Sequence, residues 1–199
     1  CSAAWATPQM DSIYLVMVDR FANGNPNNDD TINVEDPSAF HGGDLQGITQ
    51  HLDDIESLGV DTIWLTPITK MRVENIGVHG AFHGYWVANG REVEPRFGRT
   101  EDLVNLKKAL RMRGMKLMLD MVLNHVGPDT PQTSAHPDWF RTNGDITDWG
   151  DDAQRRTHDV HGLPDFDHGH VGVAKHLLDD GLHWVRAADP DGFRIDAVR

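Results

Sequence analysis

Short apolar runs rich in β-branched side chains alternate along this chain with longer stretches in which apolar positions recur every three or four residues. The run 12–18 (SIYLVMV) lacks polar alternation and predicts a strand buried on both faces. Residues 61–65, followed by Thr66-Pro67 (DTIWLTP), predict a second. Between them Ile48, Leu52, Ile55 and Leu58 fall at helical spacing, and Gly59 supplies a C-terminal stop. Thr100 is the expected cap of the next helix. Glu101 and Asp102 suit its positive end, Leu103, Leu106 and Leu110 form its apolar stripe, and Arg111 and Arg113 precede Gly114 at its close. A strand is expected over 115–122 (MKLMLDMV), then a helix over 171–188 with Ala174, Leu178, Leu182 and Val185 on its apolar face. Pro190 ends that helix before a last strand over 192–198. The order is that of an α/β fold with four parallel strands joined by three crossovers.

Two connections break this rhythm. Residues 71–98 are rich in Gly and aromatic side chains (HGAFHGYWVANG), and 126–170 carry turn chemistry but little helical period. Connections of such length in a compact domain are usually functional or small subdomains. Both follow the C-terminal ends of strands, where α/β barrels place their sites.

Composition narrows the partners. Eighteen Lys plus Arg against 31 Asp plus Glu leave a net charge of −13, and no basic run occurs, which argues against a nucleic-acid partner. No apolar run approaches the roughly 20 residues of a transmembrane segment. One cysteine cannot close an internal disulfide, and no Cys/His cluster points to zinc. The start Cys1-Ser2-Ala3-Ala4 is what remains when a bacterial lipoprotein signal is removed, which would make Cys1 a lipid anchor and the protein extracytoplasmic. An arbitrary boundary would give the same start.

Four segments carry chemistry: "HGYW" (83–86), "DMVLNH" (120–125), "GLPDFD" (162–167) and "GFRIDAV" (192–198). In the last, Arg194 and Asp196 point to one side because the strand period is two. A guanidinium beside a carboxylate keeps it ionised and oriented, as a nucleophile requires. Asp120, Asn124 and His125 are polar groups closing a strand, which must face a barrel mouth or a bound ion unless they are paired. Tyr85 and Trp86 offer aromatic faces, the means by which proteins recognise the apolar faces of pyranose rings, and His83 offers a donor at neutral pH.

In type, order and spacing these segments resemble successive signature segments of the α-amylase superfamily of glycoside hydrolases. The resemblance covers nearly the whole chain. It implies a (β/α)8 TIM barrel with a small domain inserted after strand 3, so that 1–125 form the first part of the catalytic barrel, 126–170 the inserted domain, and 171–199 the third helix and fourth strand. It implies Asp196 as nucleophile with Arg194 as its partner, and His83, Tyr85, His125 and Arg199 as sugar-binding residues. Trp86 is read as packing and Asp120 as a supporting polar group. Asn124 and Asp165 match ligands of a calcium ion that pins the insert to the barrel, and oxygen donors suit that ion.

The loop "NGNPNNDD" (23–30) is not an EF-hand, since Phe21 stands where a frame starting at Asp19 needs an oxygen. It resembles the calcium loop of bacterial cyclodextrin-forming amylases, and the matched positions are Asn23, Asn25, Asn28, Asp29, the Gly42 carbonyl and Asp44. Asn23 departs from the aspartate of those relatives. The activity implied is retaining hydrolysis of α-1,4-glucosidic bonds in starch, maltodextrins or cyclodextrins. Transglycosylation on the same α-glucans, or a binding subunit without catalysis, are the alternatives. A complete barrel takes about 250 residues, so the 199 residues are expected to be the N-terminal half of a longer enzyme and to hydrolyse nothing alone.

Overall fold

The computed structural model describes residues 12–198; Cys1 and Arg199 lie outside the described residues. The central sheet has four parallel strands in the order β1 (Ile13–Val16), β2 (Thr62–Leu65), β5 (Lys116–Val122) and β6 (Gly192–Asp196). Their register aligns Leu15, Trp64, Met118 and Gly192 in one row, and Val16, Leu65, Leu119 and Phe193 in the next. Adjacent rows face opposite sides. The second row packs with Ile63 and Leu117 under the helices, in a core shared with Ile48, Leu52, Ile55, Leu103, Leu106 and Leu110.

Helices occupy the crossovers. A turn of helix α1 (Val18–Phe21) leads to α2 (Leu45–Gln50) and α3 (Leu52–Ser57), then α4 (Thr100–Met112), and the last crossover ends in α7 (Val171–Ala188). Asp44 starts α2 by accepting the Gly47 amide at 2.7 Å. The expected single helix over 48–58 is divided at His51, and Leu58 is exposed rather than buried, because the chain already turns there toward Gly59 at φ +71°. Thr100 is the first helical residue of α4 and not its cap; Arg99 holds the cap position, and its amide donates to Asp102 at 2.8 Å.

Three further expectations are corrected. The strand over 12–18 is not buried on both faces: Ile13, Leu15 and Met17 are exposed while Val16 and Val18 are buried, because only the helix-facing side of β1 is covered. On α7 the buried positions are Val173, Asp180, Trp184 and Ala188, whereas Leu178, Leu182 and Val185 are exposed. The covered stripe is set by what lies opposite: Trp184 donates its indole N–H to the Gly90 carbonyl at 2.7 Å, and Arg91 meets Asp180 at 2.5 Å. Finally, 71–98 is not all loop. It contains strand β4 (Val87–Val93), which pairs antiparallel with β3 (Thr69–Met71) in a ribbon that carries Gly90 and Arg91 onto α7.

Residues 126–170 include two short helices, α5 (Pro131–Ala135) and α6 (Asp152–Thr157), and their Val126, Trp139, Phe140 and Phe166 pack in a small cluster with Val173 and Leu177 of α7. The bridge His125↔Asp165 ties this segment to the end of β5, and Phe140↔Phe166 pairs two parts of the segment with each other. Among the described residues, no helix is long and apolar enough to cross a membrane.

Candidate active site

At the C-terminal ends of the strands the helix-free side of the sheet turns polar. Asp120 of β5 is aligned with Arg194 of β6, and Val122 with Asp196. The shared parity puts Asp120, Arg194 and Asp196 on the side that carries Trp64 and Met118. Arg194 joins the two carboxylates: its Nη1 donates to Asp196 Oδ1 at 2.5 Å and to both oxygens of Asp120 at 3.1 Å.

Asp120 is the most heavily bonded group of the site. Besides Arg194, its Oδ2 accepts the Tyr85 hydroxyl at 2.9 Å and the Trp64 indole N–H at 3.1 Å, and its side chain is 0% exposed. Burial pushes its pKa upward, while the hydrogen bonds from Arg194, Tyr85 and Trp64 act in the opposite direction. Every contact made to it is a donor, the arrangement that suits an anion. Burial, with the Asp120 charge adding to it, holds the Tyr85 phenol well above its ordinary pKa, so the hydroxyl stays protonated and donates.

The turn at 83–86 positions the aromatic groups. Gly84 at φ +89° lets the chain pass against Pro67; a Cβ there would sit 2.2 Å from the Pro67 carbonyl oxygen. His83 stacks on Tyr85 with ring centroids 5.7 Å apart and meets Trp86 edge to face at 4.7 Å. The Tyr85 amide donates to His83 Nδ1 at 3.0 Å, which places the ring proton of the neutral imidazole on Nε2. Burial first, then the neighbouring His125 and His79, lowers the His83 pKa to about 4. His83 is therefore a neutral Nε2–H donor at ordinary pH. His125 is buried, and its Nε2 lies 3.2 Å from the Tyr85 carbonyl, to which it donates; a sugar contact through Nε2 would have to share that bond.

The two expected calcium positions differ in how well their residues fit an ion. In the 23–30 loop, Asn23 donates to Asp29 at 2.8 Å, and both sit against Gly42, where a Cβ would fall 2.8 Å from the Asn23 amide and 3.0 Å from Asp29 Oδ1. Asn28 Oδ1 and Asp29 Oδ1 are buried oxygens with no hydrogen-bond partner. Two orphaned buried oxygens in a glycine-lined cradle fit a hard cation. Asp44 is fully buried beside them, but its carboxylate also accepts the amides of Asn25 at 2.9 Å and Gly24 at 3.2 Å.

At the second position the Asn124 amide donates directly to Asp165 Oδ1, and Arg141 Nε lies 3.3 Å from Asp165 Oδ2. Arg141 also reaches the Phe166 carbonyl at 3.3 Å, and among the described residues no fully buried side-chain oxygen at this position lacks a partner. The charge of Asp165 is met by a guanidinium, so the residues at this position do not fit an ion in the same way.

Comparison with known proteins decides the family. The family model described as alpha amylase, catalytic domain, matches residues 15–199. This chain belongs to the alpha-amylase family. It is 36% identical over 201 residues to an intracellular maltogenic amylase of Bacillus subtilis, covering 93% of this chain and 32% of that protein. It is 30% identical to a cyclomaltodextrin glucanotransferase of Klebsiella oxytoca, over 95% of this chain and 33% of that protein. Among solved structures, an Anoxybacillus alpha-amylase superposes with a TM-score of 0.88 at 41% identity, over 94% of this chain and 41% of that one. The chain thus spans about a third of the length of these two curated relatives.

Within this alpha-amylase-family chain, Arg194, Asp196, His83, Tyr85 and His125 gather at one end of the sheet with Asp120. Asn124 and Asp165 meet at its edge beside Arg141, and the residues of the 23–30 loop form a separate cradle with Gly42 and Asp44. Trp64 and Arg141 were not singled out from the sequence. The only sign of Trp64 was that it shares a strand face with Thr62 and Thr66 and alternates with Ile63 and Leu65 in "DTIWLTP", which gives the strand one face unlike the other. Arg141 gave none.

Proposed function

We propose that the protein containing this chain is a retaining glycosidase that cleaves α-1,4-glucosidic bonds in starch, maltodextrins or cyclodextrins, with Asp196 as its nucleophile. The observation that carries this reading is the Arg194 bridge, which holds Asp196 at 2.5 Å on the same side of the sheet as the aromatic turn 83–86. In the first step an Asp196 oxygen forms a bond to the anomeric carbon as the bond to the leaving oxygen breaks, and that oxygen takes a proton from a second carboxylic acid. Arg194 keeps Asp196 ionised and aims it. Asp120 is unsuited to be the proton donor, because it is surrounded by donors. His83, through Nε2–H, and the Tyr85 ring meet the sugar that reacts. Water then attacks the anomeric carbon, gives a proton to the second carboxylate, and breaks the bond to Asp196, which is regenerated as a carboxylate.

The barrel is read as (β/α)8, with the four described strands as its first part and 126–170 as a small domain inserted after its third strand. Calcium is assigned to the loop cradle, where Asn23, Asn25, Asn28, Asp29, the Gly42 carbonyl and Asp44 would hold it and where it would fix the loop. At Asn124 and Asp165 the balancing charge is assigned to Arg141. Transglycosylation is the second reading, favoured by the 30% identity to a protein named as a glucanotransferase. Product analysis after incubating the intact protein with a maltooligosaccharide series and cyclodextrins tests the assignment. Glucose and maltose from both support hydrolysis, oligosaccharides longer than those supplied mean transfer, and no new product from any of them contradicts an enzyme reading.

A further inference from the structure

We infer that Trp64 is a positioning residue of this site: its indole N–H and ring face hold Asp120 and Arg194 in the arrangement that aims Asp196. The inference rests on the reading of Asp196 as the attacking carboxylate.

Trp64 does not behave as a packing tryptophan. Trp184, which does, is 2% exposed and gives its N–H to a backbone carbonyl, that of Gly90. Trp64 is half-buried on the helix-free side of β2, and its Nε1–H goes to the carboxylate of Asp120 at 3.1 Å. The Arg194 guanidinium carbon lies 5.0 Å from the Trp64 ring centroid, within the range of a cation–π contact. One side chain therefore touches both members of the pair that reaches Asp196.

The donors divide unequally between the Asp120 oxygens. Among the described residues Oδ1 is met by Arg194 alone, whereas Oδ2 takes Arg194, Tyr85 and Trp64. Trp64 and Tyr85 come from different elements and fix the carboxylate from two directions, so that it offers both oxygens to Nη1 of Arg194. That same nitrogen donates to Asp196. A carboxylate released by one of its holders can rotate, and the rotation is passed through Nη1 to the nucleophile. Hydrogen bonds to charged groups are the stronger class, and their geometry is the means by which supporting residues preset an attacking group.

The charged and titratable groups facing Asp120 are Arg194 and Asp196 from β6 and Tyr85 from the 83–86 turn, with His83 stacked on Tyr85 and His125 bonded to its carbonyl. Loss of the indole N–H removes one donor to the carboxylate, so Asp120 takes up a proton at a higher pH than before. A protonated Asp120 loses its charge and holds Arg194 more weakly.

The test is Trp64→Phe in the intact protein, read by kcat, KM, the acid limb of the kcat profile and the thermal midpoint on a maltooligosaccharide. The expected result is a fall in kcat of about tenfold, the scale of one hydrogen bond to a charged group. KM should change less than about twofold, since sugar-binding groups are untouched. The acid limb should move to higher pH. A packing role would lower the thermal midpoint and leave the limb in place. If Trp64→Phe does not fold, replacement of Trp64 by 3-benzothienylalanine keeps both rings and exchanges the N–H for sulfur, and the same changes are expected. Wild-type kcat and an unmoved limb in the folded variant overturn the role of Trp64 while leaving Asp196 as nucleophile. A wild-type protein that cleaves none of these sugars overturns both.

Discussion

Acidification should destabilise this fold through His83, by an amount that the structure sets. The ring is held neutral by burial and by its neighbours, with a pKa of about 4 against an ordinary 6.5. Between those values the unfolded chain binds a proton at this position that the folded chain does not. Stability rises with pH wherever the unfolded state holds more protons, so the neutral His83 costs nothing above about pH 6.5, and its cost grows as pH falls toward 4, then levels off. At about 1.4 kcal/mol per pH unit the full gap is worth about 3 kcal/mol, which partial solvent exposure of the ring reduces to about 2 kcal/mol. His83→Gln keeps an acceptor for the Tyr85 amide and cannot titrate. Urea unfolding of wild type and variant at pH 7 and pH 4 isolates the effect, because other titrating groups act equally in both. The wild type should lose about 2 kcal/mol more than the variant over this interval. Parallel pH dependences, or a larger loss in the variant, would refute the account of a buried neutral imidazole.

Two further outcomes follow from the same geometry. Removal of calcium by a chelator should lower the thermal midpoint of the intact protein, by mass action on an ion held only by the folded form. Asp29→Ala should abolish that response, and a response unchanged in Asp29→Ala would place the ion elsewhere. Gly84→Ala should cost at least about 2 kcal/mol in chemical unfolding, from a Cβ driven against the Pro67 carbonyl at positive φ. A loss under about 0.5 kcal/mol would mean that the 83–86 turn is free to relax.

The parts of the fold that were legible are those governed by local pattern. Each parallel strand was expected within a few residues of where it lies, because β-branched runs between helical stretches leave little choice. Helix α7 shows where local pattern fails. It carries two apolar stripes, and the one chosen from sequence, with Leu178, Leu182 and Val185, is the exposed one. What selects the other is distant in the chain: Arg91, 89 residues away, neutralises Asp180, and the Gly90 carbonyl receives the Trp184 indole. The ribbon that supplies both was itself hidden in a Gly- and aromatic-rich stretch whose pairing depends on β3.

The candidate site divides in the same way. Arg194 and Asp196 could be placed together because two residues along a strand share a face, and the contact is 2.5 Å. The donors on Asp120 come from β2, from the 83–86 turn and from β6, and only the register of the sheet brings Trp64 to the same side. Arg141 meets Asp165 beside the Phe140↔Phe166 bridge inside the 126–170 segment, a pairing that has no counterpart in residue spacing.

The central claim is that Asp196 forms a bond to the sugar. Incubating the intact protein with 5-fluoro-α-D-glucosyl fluoride, whose glycosyl-enzyme forms faster than it hydrolyses, and digesting the product for mass spectrometry locates that bond. One equivalent of fluoroglucosyl label on the peptide containing Asp196, absent in Asp196→Asn, is the predicted result. A label on another carboxylate, or cleavage of maltooligosaccharides by Asp196→Asn at the wild-type rate, would contradict it.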